Sequence, residues 1–108
     1  MNNFYKITEN LHEVAEGDTL CLGKHTLQFF MTPMVHWPES MVTYDTTDKV
    51  LFSMDVFGSF KAPVGSIFDD ENDLAAFEEP TRRYYACIVG KVAGQALKAL
   101  NKLGGIEI

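Results

Sequence analysis

From Tyr85 onward, apolar residues fall at three- and four-residue steps: Tyr85, Ile88, Val92, Ala96, Leu100 and Leu103. That spacing lines one side of an α-helix. Pro80-Thr81 is predicted to start this helix, and Gly104-Gly105 to close it, since glycine accepts the positive φ of a helix end. Gly90 and Gly94 inside it each cost about 1 kcal/mol relative to alanine, which predicts close packing on a sheet. Upstream the period is two. Leu20 and Leu22 alternate, Gly23-Lys24 turns the chain, and Leu27, Phe29 and Met31 share a face, so a hairpin is predicted. Met41–Tyr44 and Lys49–Ser53 read as two further strands around the polar turn Asp45-Thr46-Thr47-Asp48. Asp69–Phe77 is acidic and helical in part, and Ile106-Glu107-Ile108 reads as the start of another strand. Strands followed by helices predict an α/β layer. Its antiparallel or mixed sheet is covered by helices on one face, with the other face unaccounted for.

With 108 residues the chain has room for one small domain, and 46% apolar content is globular. A net charge of -6, with Lys61, Arg82, Arg83, Lys91, Lys98 and Lys102 scattered, argues against nucleic acid or an anionic membrane as partner. No apolar run nears the roughly 20 residues of a membrane span. Met1-Asn2-Asn3-Phe4 lacks the charged and apolar regions of a signal peptide, so a cytoplasmic location is expected. Cys21 and Cys87 are expected to stay reduced.

Two polar residues stand where a fold of this kind holds a site. His36 lies in the loop after one strand, in Met34-Val35-His36-Trp37-Pro38-Glu39-Ser40-Met41. Asp55 follows another, in Leu51-Phe52-Ser53-Met54-Asp55-Val56-Phe57-Gly58. Strand ends converging on one sheet edge are where α/β folds place ligands, and an imidazole with a carboxylate suits a first-row metal. Spacing alone leaves the plainer readings open: a histidine satisfied within its loop, and an aspartate capping a turn. His12 and His25 read as surface residues in or beside turns. The acidic groups Asp69-Asp70-Glu71 and Glu78-Glu79 read as solvated faces and a helix start.

Gly17-Asp18-Thr19-Leu20 to Leu22-Gly23-Lys24-His25, then Met34–Met41 and Leu51–Gly58, resemble the diiron domain of flavodiiron proteins, the A-type flavoproteins that reduce oxygen or nitric oxide. Tyr84-Tyr85-Ala86-Cys87-Ile88-Val89-Gly90 resembles that family's Tyr-Tyr-Ala-Asn-Ile segment, and the likeness runs in order over nearly the whole chain. It implies the C-terminal half of a metallo-β-lactamase-like αββα sandwich, one partial domain over residues 1–108. It also implies that His36 is the histidine ligand of one iron, that Asp55 bridges both irons, and that Trp37 faces a cofactor, beside a plainer reading of Trp37 as loop packing. In the family, electrons come from flavin mononucleotide on a flavodoxin-like domain, brought beside the metals by a head-to-tail dimer.

The sequence also departs from that family. Its His-x-Glu-x-Asp-His motif and its last histidine are absent from these residues, as is any phosphate-cradling flavodoxin loop. With two ligands of about seven, weak metal binding and no reductase activity are expected. The leading expectation is a fragment or shortened relative of a flavodiiron oxygen or nitric oxide reductase. Beside it stand a metal-dependent hydrolase of the metallo-β-lactamase superfamily and a non-catalytic assembly module. A half-sandwich also predicts a homodimer burying an inner face drawn from Leu27, Phe29, Met31, Val42, Tyr44, Val50 and Phe52.

Overall fold

The computed structural model describes residues 7–108; Met1–Lys6, which carry the reading of the chain start, lie outside the described residues. Four strands form one sheet in chain order: β1 (Thr19–Cys21), β2 (Thr26–Met31), β3 (Met41–Asp45) and β4 (Val50–Phe52). Every pairing is antiparallel, so the sheet is a plain meander without parallel strands. The turn between β1 and β2 runs through Gly23 at φ +86°, a conformation open to glycine at little cost.

Residues paired across strands point to one face. The register pairs Leu20 with Leu27, Phe29 with Thr43, Met31 with Met41, Thr43 with Phe52 and Asp45 with Val50. It pairs Gln28 with Tyr44, Phe30 with Val42 and Tyr44 with Leu51 on the opposite face. The predicted inner face was therefore a mixture. Leu27, Phe29, Met31, Val50 and Phe52 lie on one side, and Val42 and Tyr44 on the other. The reading took each strand's apolar residues together without the pairing that fixes sides.

After β4 come two short 3-10 turns, Asp69–Glu71 and Leu74–Phe77, then helices α1 (Glu78–Cys87) and α2 (Ala93–Leu103). The predicted single helix is broken. Ile88 leaves the helical path at φ -114°, ψ -65°, and Val89–Val92 forms a 3-10 turn. Three β-branched residues and Gly90 in five positions weaken the α-helix there. The break lets Val89 enter the core with Val35 and Ala99, against Val56, Tyr84, Ile88 and Ala96.

Ile106–Ile108 does not form a strand among the described residues. The segment is held instead by the Tyr44 hydroxyl, which donates to the Glu107 carbonyl at 2.5 Å. This bond sets the chain end against the Val42–Tyr44 side of the sheet, where both residues are buried. Lys102 on α2 donates to the Met31 carbonyl and pairs with Glu16, both at 2.7 Å, fastening α2 to the end of β2. No described helix is long and apolar enough to cross a membrane.

Candidate metal centre

Valines hold the two candidate ligands in place. Val35 is buried in the core cluster, and Val56 packs against the same cluster. Their chain neighbours His36 and Asp55 therefore leave the core side by side. The His36 loop is closed by Thr32 N–H donating to Ser40 O (2.9 Å) and Met34 N–H donating to Trp37 O (2.7 Å). Its Trp37 N–H donates to the buried Ser40 hydroxyl. The peptide bond between Val35 and His36 is cis. Asp55 opens a tight turn in which Gly58 N–H donates to Asp55 O at 3.3 Å. Both segments carry a non-glycine residue in the left-handed region, Met34 at φ 65° and Met54 at φ 50°. Such backbone costs of order 1–3 kcal/mol and gathers at functional sites.

His36 Nε2 and Asp55 Oδ2 face each other at 3.5 Å, with 29% and 42% of their side chains exposed. Two donors about 2.1 Å from one first-row ion, at octahedral or tetrahedral angles, stand about 3.0–3.4 Å apart. The observed separation fits a shared ion and is long for a direct charge-assisted hydrogen bond. The chemistry of the pair fits iron, and its number is short of a full shell. A groove of about 290 Å³ lies beside the helices, lined by Val56, Phe57, Tyr85, Val89, Leu97 and neighbours; neither His36 nor Asp55 lines it. Trp37 is 57% exposed, its ring 6.0 Å from the His36 ring and tilted by 44°. Behind Asp55, burial and then the Asp55 carboxylate raise the Tyr84 phenol above its ordinary value.

Sequence reasoning placed His25 on the surface in or beside a turn; it stands beside the β1–β2 turn, 35% exposed, and there it has carboxylate partners that the sequence reading did not foresee. His25 Nδ1 is 2.7 Å from Asp45 Oδ2 and 3.7 Å from Asp48 Oδ2. Among the described residues these three form the one group of three potential ligands gathered together. Yet Asp45 Oδ1 already accepts from the backbone N–H of Thr47 (2.9 Å) and Asp48 (3.4 Å). A distance of 2.7 Å is that of a hydrogen bond, closer than two donors on one ion. Burial works to raise the Asp45 carboxyl, but bonds from Thr47, His25 and Asp48 outweigh it and hold it below its ordinary value. The trio ties the β1–β2 turn to the β3–β4 turn. The Asp-Thr-Thr-Asp turn signal was visible in the sequence; its partner twenty residues earlier was not.

Nearly the whole chain matches known proteins. A family profile described as ODP family beta lactamase matches residues 1–104. The chain belongs to that family. It is 45% identical over 95 residues to rubredoxin-oxygen oxidoreductase of Megalodesulfovibrio gigas, covering 88% of this chain and 23% of the relative. To anaerobic nitric oxide reductase flavorubredoxin of Klebsiella pneumoniae it is 48% identical over 100 residues, covering 92% and 20%. In structure it matches rubredoxin oxygen:oxidoreductase of Desulfovibrio gigas at TM-score 0.83 and 38% identity, covering 96% of this chain and 26% of that one. It also matches the flavodiiron protein of Giardia intestinalis at 0.78 and 39%, covering 88% and 23%. The chain thus spans about a quarter or less of these proteins, and its fold is that of their metallo-β-lactamase-like domain.

Proposed function

We propose that residues 1–108 are one partial diiron domain of a flavodiiron oxygen or nitric oxide reductase, with His36 and Asp55 as its iron ligands. The observation that carries this reading is the 3.5 Å approach of His36 Nε2 to Asp55 Oδ2, in a chain 45–48% identical to reductases of both gases. Bound iron supplies a place for the gas and a path for the electrons that reduce it. His36 offers the Nε2 lone pair of a neutral imidazole. Asp55 would offer its two carboxylate oxygens as further, negatively charged donors to the iron. Trp37, exposed beside His36, presents its ring to a flavin carried by a flavodoxin-like domain. The protein acts in the cytoplasm.

Two donors leave most of a coordination shell to water or to other protein groups, so this chain alone binds metal weakly and reduces neither gas. Cobalt(II) titration of the purified chain, followed by visible absorbance and calorimetry, tests the site. One weak site is expected, lost in His36→Ala and weakened in Asp55→Asn. Binding unchanged in both variants overturns the ligand assignment. Two tightly held irons per chain, or gas consumption by the chain alone, overturns its inactivity.

A further inference from the structure

The Asp55 turn is gripped from behind by helix α1. The Tyr84 hydroxyl donates to the Asp55 carbonyl at 3.0 Å, adding to the bond from Gly58 N–H. Its ring fills the space a side chain on Gly58 would need: a Cβ there would lie 2.5 Å from Tyr84 Cζ and 2.7 Å from Cε1. Phe60 meets the same ring edge-on at 5.3 Å between centroids, and the Phe60 N–H reaches back to Pro80 O at 3.5 Å. Two contacts from Tyr84 thus fall on the short turn that begins with Asp55, and two more hold Phe60, just past it, against α1. Tyr84 itself does not reach the His36–Asp55 gap through any described hydrogen bond; its grip is on the backbone.

We propose that Tyr84 and Gly58 form a latch that sets where the Asp55 carboxylate stands relative to His36. Tyr84 is a positioning residue acting through Asp55, and Gly58 is the slot that admits its ring. This rests on the ligand reading above, and it explains why a glycine follows the aspartate by three positions. Groups that orient a metal ligand without touching the metal typically change affinity 10–100-fold when removed.

The test uses the 108-residue chain and two readouts. The first is cobalt(II) affinity; the second is the His36 ring ¹⁵N chemical shift of the metal-free chain at one fixed pH, with Asp55→Asn as reference for a broken contact. Tyr84→Phe removes only the donor, and is expected to weaken cobalt(II) about tenfold and to move the His36 shift toward that of Asp55→Asn. Gly58→Ala keeps the hydroxyl but displaces the ring, and is expected to do both more strongly. It also stands in if Tyr84→Phe fails to fold. Amide spectra distant from residues 53–60 should stay put, which a general loss of packing would not allow. If the unmodified chain binds no cobalt(II), the ligand reading fails and the ¹⁵N shift alone decides the latch. A His36 shift and cobalt(II) affinity left unchanged by the folded variant overturn it.

Discussion

Met54 shows how a single residue is used against its preference. It sits at φ 50° with its side chain largely exposed, directly before Asp55. Left-handed backbone costs an ordinary residue about 1–2 kcal/mol, while asparagine tolerates it. Met54→Asn is therefore expected to raise stability by about 0.5–1 kcal/mol, and Met54→Val to lower it by about 1 kcal/mol. Thermal melts check both; a stabilising valine would show that the left-handed turn does not matter. Asp45 supports a second prediction. Its carboxyl is held below the ordinary value, so its contribution is complete above the unfolded pKa near 3.9 and is lost as pH falls from there through the folded value. Glu16, raised by burial but lowered further by Lys102 and Met31 N–H, acts in the same sense. The melting temperature should fall steeply below about pH 4, and Asp45→Asn should flatten that fall. An equal slope in the variant removes Asp45 from the account. At this scale the sequence was partly legible. His36 and Asp55 were marked by their motifs and stand together, but no periodicity announces that Tyr84, twenty-nine residues on, holds the turn of Asp55. A hydrogen bond to a backbone carbonyl leaves no pattern in side-chain spacing.

The helical elements were legible in their stripe and hidden in their break. Stepwise apolar spacing continues through Ile88, Val92 and Ala96 whether the chain is one helix or two, because a 3-10 turn advances by nearly the same step. The two glycines are where the difference can be measured. Gly94 lies inside α2 with open space where a methyl group would stand, so Gly94→Ala is expected to stabilise by about 0.5–1 kcal/mol. A Cβ on Gly90 would stand 3.1 Å from the Tyr85 carbonyl, at the break itself. Gly90→Ala is expected to give no such gain and to lower the melting temperature. Equal stabilisation by both would mean that the break is not required by packing. The strands were predicted to within a residue or two of their ends, whereas Ile106–Ile108 was not: pattern shows what a strand needs and cannot supply its partner.

At the scale of the molecule, the register leaves one side of the sheet partly open, with Phe29 and Asp45 buried on it and its remaining apolar residues less covered. Leu20, Leu27, Met31 and Val50 on that side are half-buried, and Phe52 is 58% exposed. The opposite side carries the buried Val42 and Tyr44 and the Tyr44–Glu107 bond. Monomers seldom expose apolar patches beyond a few hundred Å². Covering about 600 Å² per chain, at about 25 cal/mol per Å², gives on the order of 15 kcal/mol per protomer, before the cost of association, which runs to about 4–15 kcal/mol or more. That surplus supports a two-fold pair, since a self-complementary sheet face meets its own copy without any further surface. Sedimentation is expected to report a dimer at micromolar concentration, and Phe52→Lys to yield a folded monomer. The helix side offers a rival, the groove beside Phe57, Tyr85, Leu97 and Leu100. Leu97→Lys separates the two: it should leave the sheet-paired dimer intact. Dissociation by Leu97→Lys with Phe52→Lys silent would move the interface to the helices, and a monomer before any substitution would mean that the open face needs no partner copy.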